Sequence, residues 1–584
     1  MNTFYTSERH VLILLALLKA HGIRKVIASP GTTNIALVAS MQQDPFFQMY
    51  SAADERSAAY MACGLATESG EPVILSCTGA TASRNYLPGL TEAYYRKLPV
   101  LAITSTHPIY NISHHVPQMV DRSVVAKDVV SYSVYLPIAK DENDLWICER
   151  KINQALLALK RNGCGPVHIN LESSCGSNFS VKSLPEVRVI NRITICDRFP
   201  DLPNGRIAIF IGTHRKWKKE EIEAIDNFCA SHDAVVFCDH TSSYKGKYRI
   251  LYALVMSQLH YHSPLSNVNL LIHIGEVSGD YYSLGISAQQ VWRISEDGEV
   301  RDTFGKLRYV FEMPEDYFFS HYIIPNTECN SFWNECYNEY QKMYQQIPEL
   351  PFSNIWIAKQ LAPRLPENAS LHLGILNSLR AWNFFEIPIS VSSFCNVGGF
   401  GIDGNMSSLI GASLFNPNKI YFGVIGDLAF FYDMNVLGNH HIGKNVRILL
   451  INNGRGTEFR NYNHIGNIFK DDADAFIAAA GHYGNKSRKL VKHYAEDLGF
   501  EYLSASTKEE FDVVCSRFIS VEMTNKPMLF EVFTNSTDES ETLQIMQTLM
   551  VESRDLFKEK LIDVSKKILG TYYHKASWIY HKIK

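Results

Sequence analysis

Short, almost wholly apolar runs recur along this chain, each closed by a small or polar corner and followed by a stretch with helical spacing. Val26-Ile27-Ala28, Val73-Ile74-Leu75-Ser76, Pro99 to Thr104 and Val167 to Leu171 make a first series. Ile207 to Ile211, Ala234 to Phe237 and Leu270 to Ile274 make a second, and Lys419 to Ile425 with Val446 to Ile451 a third. Strands covered on both faces read as continuous apolar runs, whereas half-exposed strands alternate, so these runs predict parallel sheets with helical crossovers. The chain is therefore expected to be α/β, with three doubly wound parallel-sheet domains over 1–180, 190–345 and 350–545. A Lys- and Tyr-rich helical tail is expected over 550–584; its interleaved Glu552, Asp555, Glu559 and Asp563 favour a solvated helix docked on the body over a membrane-surface helix. The leading run Val11 to Leu18 is too short to span a bilayer and lacks the flanks of a signal peptide, so it reads as the first buried helix.

Composition narrows the function without naming it. The 584 residues are 46% hydrophobic and 20% charged, the balance of an ordinary globular protein large enough for three or four cores. A formal charge of −4 leaves no basic footprint, which argues against nucleic acid as a partner. The 12 cysteines stand singly, without a Cys-x-x-Cys pair or a zinc-spaced His/Cys cluster, and suit a reduced cytoplasmic compartment.

The most demanding signal is in the third series. The run to Ile425 ends at Gly426-Asp427-Leu428, a helical stretch from Phe430 to about His440 follows, and the next run delivers Asn452-Asn453 to the same edge of the sheet. A strand-end glycine admits close backbone approach to a diphosphate, and the helix start favours its charge. Mg²⁺ takes hard oxygen ligands shared with phosphates, which the Asp427 carboxylate, the Asn453 amide oxygen and the Arg455 backbone carbonyl would supply. A Gly-Asp pair alone would be an ordinary strand-turn-helix; the paired asparagines on the next strand favour the metal-diphosphate reading.

With Asp54-Glu55-Arg56 near the front of the chain, this order resembles thiamine-diphosphate enzymes of the acetolactate synthase and pyruvate decarboxylase type. Ser29-Pro30-Gly31, Asn377-Ser378-Leu379, Gly401-Ile402-Asp403-Gly404 and Tyr432-Asp433-Met434-Asn435 resemble more closely the 2-succinyl-5-enolpyruvyl-6-hydroxy-3-cyclohexene-1-carboxylate synthases of the menaquinone pathway. The resemblance covers most of residues 1–540. It implies thiamine diphosphate and Mg²⁺ as cofactors, decarboxylation of a 2-oxo acid, and transfer of the acyl unit to an acceptor. Glu55 would bond the pyrimidine N1′ and promote proton removal from C2, a task suited to a carboxyl group whose pKa is raised by apolar neighbours such as Ala58, Ala59, Tyr60, Met61 and Ala62. The alternative for Glu55 is an acid favoured at a helix start by the dipole. Thr78-Gly79 resembles the turn beside the pyrimidine, Gln118 an active-site glutamine, and Ile402 the apolar residue that supports the bent cofactor. Gln118 could equally be a solvated loop residue and Ile402 plain core. The resemblance also implies a homodimer or homotetramer, with the pyrimidine held by one chain and the diphosphate by another.

Several positions depart from the synthase pattern. Thr32-Thr33 stands for Ser-Arg, Thr106-His107-Pro108 for Asp-Arg-Pro, and Asn396-Val397-Gly398 for Asn-Arg-Gly, while Arg380 is offset by two and Trp382 takes its place. Neutral groups do not replace bidentate arginines, so an acceptor less anionic than isochorismate and a different donor are expected, with His107 facing the substrate. Simple 2-oxo acid decarboxylation, an acetolactate synthase-like reaction, or a cofactor- or nucleotide-binding protein without turnover stand as alternatives. Gly212-Thr213-His214 could mark a flavin or nucleotide pocket, although a structural middle domain is favoured. His114-His115 and His440-His441 are candidates for substrate contact or proton transfer, or simply polar loop residues.

Overall fold

A computed structural model describes residues 4–325, 327–482 and 487–550. The tail expected over 550–584 lies, from residue 551 on, outside the described residues. The chain divides into two units, one of residues 1–199 with 297–312 and the other of residues 200–296 with 313–584.

The first unit is built on a six-stranded sheet in the order Gln48–Ser51, Lys25–Ala28, Val73–Thr78, Val100–Thr106, Val167–Glu172, Tyr132–Leu136. Its neighbouring strands pair in parallel. Apolar side chains fill both faces. On one side the helix Arg9–Ala20, buried from His10 to Leu18, packs with Val26, Ile74, Leu101 and Ile169. On the other, Ala58, Ala59 and Ala62 of the helix Glu55–Ser69 pack with Leu75, Val100 and Ala102. The small side chains permit close helix approach: a Cβ at Gly89 would lie 2.5 Å from that of Ala59. The parallel pair Asn191–Thr194 and Leu307–Glu312 belongs to this unit too.

The second unit carries the parallel strands Arg249–Leu251, Val235–Cys238, Ile207–Ile211, Asn267–Ile274 and Ser287–Ser295, in that order. It also carries a third sheet, ordered Ser392–Cys395, Ser370–Leu373, Tyr421–Gly426, Val446–Asn452, Met528–Phe533, Glu501–Ala505. All its pairings are parallel. Counted from its own first strand, this sheet has the strand order of the first. In each, the chain reverses direction across the sheet between its first and third strands. Ligands of open α/β sheets bind at the carboxyl ends of strands flanking such a reversal.

Among the described residues no helix is long and apolar enough to cross a membrane. One local expectation is corrected. The helix after Gly426 begins at Asp427, earlier than Phe430, and gives way at Met434 to a 3-10 turn ending at Gly438. Asp433 closes the helix because its carboxylate turns to Ser407, accepting from the amide at 2.7 Å and the hydroxyl at 2.5 Å.

Candidate active site

At the reversal of the third sheet, Gly426 is extended and Asp427 is the first helical residue, with no loop between strand and helix. The Asp427 carboxylate is 5% exposed and accepts from Leu428 N at 2.8 Å and Gly454 N at 2.6 Å. Burial pushes its pKa up to about 7. The paired strands bring Gly426 opposite Ile451, so Asp427 and Asn453 leave the sheet as neighbours, as the sequence predicts. The two asparagines then diverge. Asn452 turns inward and donates to buried Glu531 at 2.7 Å, whereas the buried Oδ1 of Asn453 has no partner. A buried carboxylate and an orphaned amide oxygen on adjoining strand ends are the hard donors that Mg²⁺ requires, so these residues fit the ion that the motif implies. Arg455 aims its guanidinium away, at Asp474, 2.6 Å distant.

The adjacent strand of the same reversal, Ser370–Leu373, leads to the helix Asn377–Trp382. Arg380 meets Glu458 at 2.5 Å and lies 5.4 Å from the centre of the Tyr281 ring. With its amide nitrogen turned to Glu458, Asn377 donates at 2.6 Å. Glu539 lines a small cavity together with Asn377 and Arg380, accepts from Asn354 N at 3.0 Å and has its pKa pushed to about 7 by burial. Sequence reasoning missed Glu539, because nothing near it in the chain signals burial at a distant strand end. Ile402 is partly buried and packs on the core beneath this edge.

In the first unit, Asp54 caps the helix by accepting from Ser57 N at 3.0 Å and Arg56 N at 3.3 Å, and the Ser57 hydroxyl and amide hold its carboxyl below the usual range. Glu55 is thereby fixed as the first helical residue, partly exposed, with Asn85 Nδ2 at 3.4 Å from its carboxylate. The expected apolar surround is divided. Ala58, Ala59 and Ala62 are buried, but Tyr60 is 48% exposed and Met61 45%, because they point off the opposite helix face. Thr78-Gly79 follows the neighbouring strand, and Thr33 Oγ1 ties it down, 2.5 Å from Thr78 Oγ1 and 2.7 Å from Ser105 O. Gln118 is exposed at φ +67° in an irregular segment, and His107 Nδ1 stands 3.8 Å from Cys175 Sγ. His114 and His115 are exposed, as are His440 and His441, whose rings lie 3.8 Å apart.

Residues 11–125 match the family described as "Thiamine pyrophosphate enzyme, N-terminal TPP binding domain". Over 562 residues the chain is 32% identical to the 2-succinyl-5-enolpyruvyl-6-hydroxy-3-cyclohexene-1-carboxylate synthase of Bacteroides fragilis, covering 92% of this chain and 98% of the relative. It belongs to that synthase family. The corresponding synthase of Bacteroides thetaiotaomicron is also 32% identical over 92% of this chain, and that of Porphyromonas gingivalis is 26% identical over the same share. The chain is thus an enzyme of the thiamine-diphosphate class.

Membership corrects the expectation of an acceptor other than isochorismate, which rested on the substituted arginines. Full-length relatives share one product, and the structure removes much of the reason for the contrary reading. Thr33 is 3% exposed and serves as an internal tie, and Trp382 is 1% exposed, part of the core. Neither side chain reports on a substrate.

Proposed function

We propose that this chain is a thiamine-diphosphate- and Mg²⁺-dependent synthase of 2-succinyl-5-enolpyruvyl-6-hydroxy-3-cyclohexene-1-carboxylate, acting in the cytoplasm. On this reading 2-oxoglutarate loses CO₂ and its remaining succinyl carbon bonds to a ring carbon of isochorismate. The cofactor, when bound, supplies the electron sink that decarboxylation needs. Glu55 would hold a proton at the pyrimidine ring, Thr78 and Gly79 would lie beside that ring, and Ile402 would support it. Gly426, Asp427, Leu428, Asn453 and the Arg455 carbonyl would hold the diphosphate with its metal.

The observation that carries this reading is the nearly end-to-end similarity to synthases of one product, joined to a metal-fitting pair at Asp427 and Asn453. The product's name contains three acidic groups, one each on its succinyl, enolpyruvyl and ring parts. Such a ligand calls for cations, and Arg380 stands at the sheet reversal with its charge engaged by Glu458. Gln118 and His107, in the segment after the strand Val100–Thr106, are further candidates for substrate contact. Self-association into a dimer or tetramer belongs to the same proposal, supported by the apolar side chains of Tyr60 and Met61 exposed on the helix that begins at Glu55.

Incubation with 2-oxoglutarate, isochorismate, thiamine diphosphate and Mg²⁺, followed by mass spectrometry, tests the proposal. The ligated product is expected. CO₂ release with succinic semialdehyde and no adduct would establish simple decarboxylation instead.

A further inference from the structure

A cavity of about 150 Å³ opens in the first unit, lined by none of the residues given a functional role above. Its walls are apolar, with Tyr86, Leu87, Leu90, Val125 and Val129 prominent. Arg122 lines it, although that side chain is only 5% exposed. A cation in such surroundings ordinarily has a carboxylate beside it. Arg122 has two neutral acceptors instead: Nη1 donates to Thr104 Oγ1 and Nη2 to Asn170 Oδ1, both at 2.6 Å. Its Nε is buried without a partner.

The polar groups around it do not supply the missing charge. Thr104 Oγ1, which accepts from Arg122, also lies 2.8 Å from His168 Nε2, and His168 Nδ1 lies 3.0 Å from Ser133 Oγ. Burial, reinforced by the Arg122 charge, holds His168 neutral with a pKa near 3. The second charged residue lining the cavity is another cation: Arg84, exposed, with its guanidinium 2.7 Å from Asp121 O. The guanidinium of Arg122 has spent two of its five N–H groups, which leaves Nε–H and one N–H on each Nη to meet a carboxylate that enters the cavity.

We propose that this cavity is a binding site for a small monocarboxylate with an apolar body of about one ring or one branched chain. The volume argues for that size, since a cavity of about 150 Å³ with apolar walls accommodates benzene. The mostly apolar walls favour an organic body over inorganic phosphate, which would meet Arg122, Arg84 and Ser83 but leave the hydrocarbon lining unmatched. The site is independent of the substrate reading above. It does adjoin the cofactor turn, because a Cβ at Gly79 would lie 3.1 Å from Arg122 Nη2.

Isothermal titration calorimetry of the full-length chain with benzoate, isovalerate, benzamide and inorganic phosphate tests the proposal. Benzoate or isovalerate is expected to bind at one site per chain, with benzamide at least about tenfold weaker than benzoate because it lacks the charge. Arg122→Gln should lower benzoate affinity by about tenfold or more and leave benzamide unchanged. Since that variant also removes a buried tie, Val125→Phe serves as a second test: it fills the cavity and should abolish binding while the melting curve stays cooperative. Equal binding of benzoate and benzamide, benzoate binding that survives Val125→Phe, phosphate binding tighter than benzoate, or no binding of either carboxylate would each overturn the inference.

Discussion

With the proposed metal site empty, Asp427 is about half protonated near neutrality, and this makes cofactor binding a measurable function of pH. Burial places its pKa at about 7, and no cation among its described neighbours opposes the shift. Mg²⁺ requires the carboxylate, so proton and metal compete for the same oxygens. With a pKa of about 7, about half the chains are ionised at pH 7, about one in eleven at pH 6 and about one in a hundred at pH 5. The apparent dissociation constant for thiamine diphosphate at fixed Mg²⁺ should rise about fivefold from pH 7 to 6, and about tenfold more to pH 5. The sign for stability is the reverse. A carboxyl whose folded pKa is raised stabilises the metal-free fold most below its ordinary value, and that contribution is lost as pH rises towards 7.

The assay is calorimetric titration at each pH, with Asp427→Asn as the control. The diphosphate titrates in the same range, and whatever pH dependence the variant retains belongs to the ligand. Asp427→Asn keeps the size of the side chain but loses its charge, and should weaken Mg²⁺-dependent binding by about a hundredfold or more. Binding by the variant within about threefold of the parent, or a subtracted affinity that is flat from pH 7 to 5, would refute the assignment.

Glu55→Gln should stop exchange of the cofactor C2 proton, followed by NMR in D₂O, while cofactor affinity stays within about tenfold; exchange at the parent rate would remove Glu55 from the chemistry. Arg380→Met should raise the KM of a carboxylate substrate by about tenfold or more, and Glu458→Gln, by unmasking the same guanidinium, should lower it; if both variants leave KM unchanged, the pair is merely structural. The buried Asp280 has its pKa raised to about 6 by burial and then by neighbouring Asp239, so the fold should lose stability as pH rises from about 4 to 6. Asp280→Asn should flatten that slope in denaturant titrations, by up to about 3 kcal/mol across the window; an unchanged slope would place the cost elsewhere.

The strands were legible because parallel sheets demand apolar residues on both faces. Ile207–Ile211 was read to the residue, and Val73–Thr78 was short only by its last two residues, buried Cys77 and partly exposed Thr78. The Asp427 corner was legible because spacing fixed it. What escaped were the orientations. The inward turn of Asn452 depends on buried Glu531 of the neighbouring strand, 79 residues on, which nothing local in the chain announces. Trp382 was assigned to a substrate position, yet its bulk is taken up by the core. Arg122 drew no notice, because its lack of an acid partner depends on strands that end at Thr106 and Glu172.

The repeated strand order explains why chemistry gathers at two places in so long a chain. A parallel sheet that reverses between its first and third strands leaves a crevice at the carboxyl ends of both, and this chain builds that crevice twice. In the first, Ser29 to Thr33 and the Thr78-Gly79 turn follow the flanking strands, and a helix beginning at Glu55 follows the outer one. In the third sheet the same positions hold Asn377 to Arg380 and the Asp427 corner. Among the described residues the first crevice offers Glu55 and a turn tied by Thr33, and the other offers the buried Asp427 carboxylate and the unpartnered Asn453 amide oxygen proposed for the metal. Each is therefore suited to one end of a two-ended cofactor, and the middle sheet has a different strand order.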